Sequence, residues 1–284
     1  MSKKKKQPHD PPPHLPRTGV ESHAHLNSRH YALDFADVME RAAAAGVAQI
    51  IQVFLSPEAW AAGKARFDAY PNVYFMLGIH PTEAMHYSPA TELGIREAIA
   101  ADPRIRAVGE IGLDFYWKDC PPDTQKSVLL GQLALARELA LPVVIHCRDA
   151  EDETFALLEG EGFTDYPLLW HCFGGNMRMM ERIIKNGWHL SVPGPVTFPA
   201  NAALREAVAS IPADRLLVET DCPYLSPAPL RGKRNEPANL GYVIAAMAEA
   251  RGVSAAELWT LCGDNARRFF GIRDTTKDRS IGHE

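Results

Sequence analysis

The sequence lacks any apolar run long enough to cross a bilayer as a helix, so no membrane association is expected. Its first residues, MSKKKKQPHDPPPHLP, are basic but lack the apolar core of a secretory signal. Cysteine is scarce, and the five cysteines are scattered without CxxC spacing, which argues against a disulfide framework and favours a reducing compartment. These absences together predict a cytoplasmic protein.

Charge of one sign is not in excess either, because the formal net charge is -5 over 284 residues. A protein with this balance does not coat nucleic acid through bulk positive charge, so any phosphate binding must be local. The hydrophobic content of 46% and the charged content of 23% are ordinary for a globular protein with a full core. The length is compatible with one large α/β domain.

Strand-like and helix-like segments alternate along the chain. Short runs rich in Val, Ile, Leu or Phe are typical of strands buried on both faces, with helical patterns between them. The strands are predicted to end near His23, Phe54, His80, Glu110, His146, His171, Val192 and Glu219. Eight such units predict an α/β fold, a single-domain (β/α)8 TIM barrel over residues 17–273. Residues 1–16, rich in Lys and Pro, are predicted to be a disordered tail, and residues 274–284 a polar, loose one.

Residues with metal-binding side chains recur where these strands end. They are His23, His25, Glu110, His146, His171 and Asp221. The carboxyl ends of parallel strands meet at one mouth of a barrel, so we expect these side chains to converge there. His23 and His25 stand two apart in a strand and therefore point to the same side. A rim hydrogen bond or a buried ion pair would explain any one of them, but the whole set predicts a metal site and hydrolysis.

Two carboxylates are expected to take part in the chemistry. Glu110 can bridge two cations through its two oxygens. Asp221 follows the last strand, where one oxygen can bind a cation and the other can accept a proton from water. Glu219 lies two positions earlier on the same face; it is expected to orient the water or a ligand histidine, or else to form a structural ion pair.

Other residues are candidates for contact with the substrate. His80 ends a strand and faces the rim, where it is expected to bind or polarise a substrate phosphate, or to make a rim hydrogen bond. Arg148 and the loop residues Arg231, Lys233 and Arg234 form a basic group beside the expected mouth. Guanidinium pairs suit phosphate oxygens, so this group is predicted to contact phosphate rather than solvent alone.

A cysteine follows each of the histidines His146 and His171. Neighbouring residues in a strand face opposite ways. We therefore expect Cys147 and Cys172 to pack under the helices as core residues while the histidines face the mouth.

Several longer motifs resemble those of the TatD-type metal-dependent hydrolases, a family of the amidohydrolase-like barrel superfamily. The motifs are GIHP, VGEIGLD, IHCRDA, HCFGGN, VPGPVTF and ETDCPYLSPAPLRGKRNEP, and the resemblance runs from about Val20 to Ile272. It implies a (β/α)8 barrel with divalent-metal deoxyribonuclease or related phosphodiesterase activity. It also implies a first metal bound by His23, His25 and Asp221, a bridging Glu110, and a second metal bound by Glu110, His146 and His171.

Two residues depart from the family pattern. Glu21 stands where these proteins usually have Asp, and Gly174 stands where a Ser often follows HCF. Neither change removes a predicted ligand. Many superfamily relatives bridge their metals with a carboxylated Lys, and Glu110 in that place favours this branch over a dihydroorotase-like or phosphotriesterase-like enzyme.

The favoured hypothesis is two-metal hydrolysis of phosphodiesters in DNA, by exonucleolytic action, with Asp221 accepting the proton. The acidic net charge favours ends or short single strands over tight duplex binding. The same site could instead serve an ester, amide or aminoacyl-tRNA deacylase, and a third hypothesis is a non-enzymatic barrel that binds nucleic acid or a partner through its tail or rim. Mixed His and carboxylate ligands suit Zn²⁺, Mn²⁺ or Fe²⁺, and Mg²⁺ suits phosphate chemistry. No obligate protein partner is predicted.

Overall fold

Eight parallel strands pair in chain order and form a nearly closed barrel in the computed structural model, which describes residues 12–274. They are β1 (Gly19–Ala24), β2 (Val47–Phe54), β3 (Val73–Leu77), β4 (Ile105–Asp114), β5 (Val143–Arg148), β6 (Leu168–Trp170), β7 (His189–Val192) and β8 (Leu216–Val218). The predicted (β/α)8 fold is therefore confirmed. Only the fourth strand runs well past its predicted end, from Glu110 on to Asp114.

Helices follow the strands and cover the barrel. They are α1 (Phe35–Ala44), α2 (Pro57–Gly63), α3 (Pro89–Ala101), α4 (Pro122–Glu138), α5 (Glu151–Gly160), α6 (Met177–Lys185), α7 (Ala202–Ser210), α8 (Leu240–Arg251) and α9 (Ala255–Phe270). The hydroxyl of Ser56 caps α2 by accepting a hydrogen bond from the amide of Ala59 at 3.0 Å. Gly46 and Gly187 follow the ends of α1 and α6 with φ of 90° and 77°, which glycine adopts readily. After α2 the chain continues as a 3-10 turn, Lys64–Phe67.

Hydrogen bonds between β1 and the segment after β8 close the barrel at its mouth. The amide of Asp221 donates to the carbonyl of His23 at 3.1 Å, and the amide of His25 donates to the carbonyl of Cys222 at 2.8 Å. A single parallel bridge pairs Ala24 with Cys222. The closure therefore brings Asp221 next to His23 of β1 and to His25, which follows the end of β1.

The opposite end of the barrel is filled by the last helix. Inside the barrel, Val20 of β1 and Met76 of β3 belong to the same buried apolar cluster as Phe270 of α9. Arg267, also in α9, donates to the carbonyl of Thr18, just before β1 begins, at 2.7 Å. The end of α9 thus covers the amino ends of the strands, and their carboxyl ends are left to form the open mouth.

The predicted tails fall mostly beyond the part of the chain that the structure describes. Residues 1–11 and 275–284 lie outside the described residues. Residues 12–16 are described, and Leu15 among them is buried in the main apolar core. The packed part of the chain therefore begins before residue 17. Among the described residues, no helix is long and apolar enough to cross a membrane.

The substitution Gly19→Ala is expected to destabilise the fold by about 1–3 kcal/mol through overpacking. A Cβ at this position would lie 1.8 Å from Cζ2 of Trp259, a fully buried ring. The indole of Trp259 cannot shift freely, because its Nε1 donates to the carbonyl of Pro16 at 2.8 Å. The midpoint of urea unfolding measures the effect.

Gly160→Ala is the matched control for this substitution. Gly160 is the last residue of α5, and a Cβ there meets nothing within 4 Å. Alanine has the higher helix propensity, so this variant should unfold at the wild-type midpoint or slightly above it. Equal midpoints for Gly19→Ala and the wild type would contradict the close packing of Trp259 on β1.

Candidate metal centre

The first of two ligand groups lies at the junction of β1 and β8. The Nε2 atoms of His23 and His25 are 3.3 Å apart. Oδ1 of Asp221 lies 3.3 Å from Nε2 of His25 and 3.8 Å from Nε2 of His23. Oε2 of Glu110 lies 3.3 Å from Nε2 of His23 and 3.7 Å from Nε2 of His25. Four ligand atoms from three segments of the chain therefore face one point.

The second group forms around the other oxygen of Glu110. Oε1 of this carboxylate lies 2.7 Å from Nδ1 of His146 and 2.9 Å from Nε2 of His171. These two imidazole nitrogens are 3.4 Å apart. One carboxylate thus turns a different oxygen toward each group, which is the geometry of a ligand that bridges two cations.

The spacing of these atoms fits divalent cations. Nitrogen and oxygen ligands that bind a cation at about 2.0–2.2 Å lie about 3–3.6 Å from one another in tetrahedral or octahedral geometry. The atoms of the first group are separated by 3.3 to 3.8 Å. Only one of two facing imidazole nitrogens can donate a hydrogen, whereas a cation accepts the lone pairs of both. The mixed imidazole and carboxylate donors therefore suit Zn²⁺, Mn²⁺ or Fe²⁺ better than they suit a network of hydrogen bonds alone.

Both carboxylates are kept ionised by their neighbours. Burial raises the pKa of Glu110, but its interactions with the surrounding histidines, that with His171 first, outweigh burial and hold the pKa well below its usual range. Burial also raises the pKa of Asp221. The hydrogen bond with His25 lowers this pKa and outweighs burial, together with the other histidines, so the net shift is downward. Metal ligands must be deprotonated, and both groups meet this requirement at neutral pH.

Glu219 stands behind the second group. It is fully buried, and its Oε1 lies 3.3 Å from Nδ1 of His171, the ring nitrogen turned away from Glu110. Its Oε2 accepts a hydrogen bond from Ser191 of β7 at 2.5 Å. The predicted role of Glu219 in orienting a ligand histidine stays a prediction, and the 3.3 Å approach to Nδ1 of His171 is the contact that it requires. The sequence analysis did not identify Ser191 as a partner of Glu219. The available signal was a polar residue inside the buried strand HLSV.

Asp114 does the same for the other histidine of this group, and sequence reasoning assigned it no role. Its buried Oδ2 lies 3.0 Å from Nε2 of His146, so the carboxylate favours the tautomer whose free Nδ1 faces Glu110. The amide of Asp114 is held in turn by Oε1 of Gln125 at 2.8 Å. Asp114 lies four residues after Glu110 in the same strand, and residues an even number apart in a strand face the same side. This spacing was the signal that could have identified Asp114.

A close approach of β4 to β5 makes this contact available. Gly112 has φ of 151°, and a Cβ there would lie 1.8 Å from the carbonyl oxygen of His146. Any side chain at this position would separate the two strands. Glycine is therefore required for Asp114 to reach the imidazole of His146.

His80 lies on the rim beside the second group. Its Nε2 is 3.6 Å from Oε1 of Glu110, and its ring meets the ring of His146 edge to face at 4.4 Å between centroids. Burial lowers the pKa of His80 to about 4, so the imidazole is neutral at pH 7. His80, Asp114 and His146 also offer three ligand atoms within 4.8 Å of one another. The hydrogen bond between Asp114 and His146 accounts for that cluster without a further cation.

The two cysteines that follow ligand histidines differ in position. Sγ of Cys147 lies 3.4 Å from Oγ1 of Thr154 in α5, as expected for a residue under the helices. Burial raises the pKa of the Cys172 thiol well above its usual value. Cys172 has φ of 53°, which is not strand geometry, so the alternation that predicted its packing under the helices does not apply there. The strand β6 ends at Trp170, so alternation no longer applies two residues later.

The four residues of the predicted basic group have different surroundings. Arg148 is exposed at the end of β5. Arg234 donates to Oδ1 and Oδ2 of Asp34 at 2.7 and 2.6 Å, so its guanidinium is occupied in a contact between two loops and does not support phosphate binding. Arg231 and Lys233 are exposed on the loop before it.

The two departures from the family pattern have different surroundings. Glu21 is fully buried, and its Oε1 accepts hydrogen bonds from the amides of His23 and Thr220, both at 3.0 Å. Burial raises the pKa of Glu21 to about 8. The side chain therefore links β1 to the segment that carries Asp221. Gly174 is exposed, and a Cβ there would meet only ordinary contact at 3.9 Å.

Comparison with known proteins agrees with this geometry. The sequence profile of the family described as "TatD related DNase" matches residues 20–271. The chain belongs to the TatD-related DNase family. Members of this family are metal-dependent hydrolases, and the barrel mouth is the place where this TatD-family chain gathers the residues that such an activity needs.

Individual relatives match over almost their whole length. The "uncharacterized metal-dependent hydrolase YabD" of Bacillus subtilis is 38% identical, with 89% of this chain and 98% of the relative covered. The "3'-5' ssDNA/RNA exonuclease TatD" of Rahnella is 37% identical, with 87% and 96% covered. The crystal structure of the TatD homologue YjjV of Escherichia coli superposes with a TM-score of 0.84 at 30% identity, over 90% of this chain and 99% of YjjV.

Asp114→Asn is expected to weaken divalent-metal binding about 10- to 100-fold. The asparagine side chain has the shape of aspartate but no negative charge. It therefore no longer holds His146 in the tautomer whose Nδ1 faces Glu110. Competition with a chelating dye at fixed pH measures the affinity. Asp119→Asn is the matched control, because Asp119 is exposed in the loop that follows the same strand. Unchanged affinity in Asp114→Asn would show that Asp114 does not position His146 for metal.

Proposed function

We propose that this TatD-family hydrolase is a nuclease that removes nucleotides one at a time from the 3' end of single-stranded DNA or RNA. The observation that carries the proposal is the Glu110 carboxylate, whose two oxygens each face a separate set of ligand atoms. Paired cations bridged in this way suit the displacement of a phosphodiester oxygen. The printed name of the Rahnella relative, a 3'-5' ssDNA/RNA exonuclease, supports the choice of substrate and direction.

Two divalent cations per chain are proposed as the cofactor. His23, His25 and Asp221 would bind one, His146 and His171 would bind the other, and Glu110 would bind both. When bound, they would lower the pKa of a coordinated water and neutralise charge on the phosphate. Mg²⁺, Mn²⁺ and Zn²⁺ are each compatible with these donors.

Asp221 is the proposed proton acceptor. Its Oδ1 faces His25 at 3.3 Å, which leaves Oδ2 to take a proton from the attacking water. Its pKa lies below the usual range for an aspartate, so the carboxylate is ionised at neutral pH. The residue is held in a left-handed conformation, with φ of 54°, by the hydrogen bond from its amide to His23. Such conformations cost about 1–3 kcal/mol and cluster at functional sites.

The mouth gives a phosphate access from one side only. The side chains of His25 and His146 are 14% and 17% exposed, whereas that of His23 is 0% exposed. A substrate phosphate therefore approaches across His25 and His146, with His23 beneath it. His80 and Arg148 lie on this exposed side, where each would contact a phosphate oxygen.

A 5'-labelled single-stranded DNA oligonucleotide tests the proposal. With Mg²⁺, Mn²⁺ or Zn²⁺, the wild-type protein should shorten the strand stepwise from its 3' end, and a chelator should stop it. Asp221→Asn should slow cleavage by about 100- to 10,000-fold, the range for a lost general base. Asp214→Asn should cleave at the wild-type rate, because Asp214 is exposed and precedes β8 at the opposite end of the barrel.

Two results would count against the proposal. If the wild-type protein binds metal but leaves the strand intact with all three cations, the protein is not a nuclease. The alternative then holds, in which the same site hydrolyses an ester, an amide or an aminoacyl-tRNA. If the wild type and Asp221→Asn cleave equally, either a contaminating nuclease is present or Asp221 is not the proton acceptor. The double variant Asp221→Asn with Glu110→Gln separates these explanations. Cleavage that persists in the double variant comes from a contaminant, and cleavage that is lost shows that another residue accepts the proton.

A further inference from the structure

Two exposed aromatic rings stand at the barrel mouth, directly after β4. Tyr116 is 48% exposed and Trp117 is 51% exposed, and their rings meet edge to face with centroids 5.0 Å apart. All other tryptophans are buried, with at most 8% of their surface exposed: Trp60, Trp170, Trp188 and Trp259. A large ring normally packs into the core, so an exposed Trp and Tyr pair beside a candidate active site indicates a surface that binds something.

The same carboxylate that supports the metal centre fixes this pair. Oδ1 of Asp114 accepts hydrogen bonds from the amides of Tyr116 and Trp117 at 3.0 and 3.1 Å. Its other oxygen, Oδ2, faces Nε2 of His146 at 3.0 Å. The rings are therefore held at a defined place beside the second ligand group, although they lie in a loop.

A positive charge lies against the pair. The guanidinium of Arg148 is 3.7 Å from the centroid of the Tyr116 ring and 5.9 Å from that of Trp117. Arg148 is itself exposed, and the structure shows its charge stacked on an aromatic ring. Because the guanidinium covers one face of Tyr116, Trp117 offers the larger free ring surface.

We propose that Trp117, with Tyr116 beside it, is a stacking platform for one base of a single-stranded nucleic acid, and that Arg148 contacts the neighbouring phosphate. Every nucleobase has a flat face that stacks on an aromatic ring, so such a platform binds single strands without regard to sequence. Arg148 supplies the charge that the backbone requires, which the net charge of -5 on the whole chain does not. This inference rests on the proposed function and names the part of the substrate that the platform holds.

Tryptophan fluorescence reports on the platform without any chemistry. The metal-loaded protein is titrated with a short oligothymidylate whose linkages are hydrolysis-resistant phosphorothioates. Because Trp117 is the exposed tryptophan, stacking should quench a component of the emission, and Trp117→Phe should abolish that change. An abasic strand of the same length and charge should leave the emission unchanged. Equal quenching by the abasic strand, or none by oligothymidylate, would overturn the platform.

Kinetics provide the second measurement. Trp117→Ala should raise KM for single-stranded DNA by about 5- to 100-fold, the range for one lost base stack, with little change in kcat. Trp117→Phe should retain most of the affinity, because phenylalanine keeps an aromatic face. Hydrolysis of an abasic single strand of the same length, which offers no ring to stack on Trp117, should be unaffected. Leu93→Ala is the matched control, because Leu93 is 55% exposed on α3 and should leave both reactions unchanged.

The two proposals fail in different ways. If oligothymidylate quenches Trp117 but no nucleic acid is cleaved, the platform stands and the proposed nuclease activity falls. If single-stranded DNA is cleaved and KM is the same for Trp117→Ala, Leu93→Ala and the wild type, the nuclease stands and the platform is wrong. Should Trp117→Ala fail to fold, the titration of the wild-type protein and of Trp117→Phe still decides the outcome.

Discussion

The candidate site depends on one buried carboxylate that contacts imidazoles from three strands. Glu110 is 4% exposed, and its two oxygens lie within 3.3 Å of His23, His146 and His171. A carboxylate taken out of water at this depth is unstable unless charges or hydrogen bonds compensate for the lost hydration. The imidazoles supply part of this compensation, and cations between them would supply the rest. Closure of the barrel is therefore an electrostatic requirement of the site as well as a way to bury apolar surface.

A second layer of carboxylates keeps the imidazoles in position. Asp114 contacts the far nitrogen of His146, and Glu219, itself held by Ser191, contacts the far nitrogen of His171. The hydrogen bond with Asp114 selects the tautomer of His146 that leaves a lone pair facing Glu110, and Glu219 places a negative charge beside the far nitrogen of His171. All three of these acidic and hydroxyl side chains are carried by strands or lie just beyond them, and strands are rigid enough to hold such distances. Asp114 goes further, since it also fixes the loop with the exposed aromatic pair.

Local patterns predicted the barrel well because the hydrophobic strands are buried on both faces and their ends carry polar residues. The same patterns were insufficient where a partner lies far away in sequence. From the local sequence, Arg234 was predicted to be available for phosphate binding, but it forms an ion pair with Asp34, 200 residues earlier. Cys172 reads as a core residue by alternation, but β6 has already ended at Trp170. Asp114 was overlooked because the fourth strand was predicted to end near Glu110, whereas β4 runs four residues further, through Ile111 and Leu113.

The sequence by itself determined the order of the elements, the single barrel and the six residues that meet at its mouth, because periodicity and strand ends are local properties of the chain. The tertiary structure alone decided which oxygen of Glu110 faces which histidines, which carboxylates support the rings, and which arginine is free. Those choices depend on contacts between strands and loops distant in sequence, such as the approach of β4 to β5 at Gly112. Glu110 and Asp114 face opposite nitrogens of His146, and only the packing of β4 against β5 decides which carboxylate takes which side, so no local pattern encodes it.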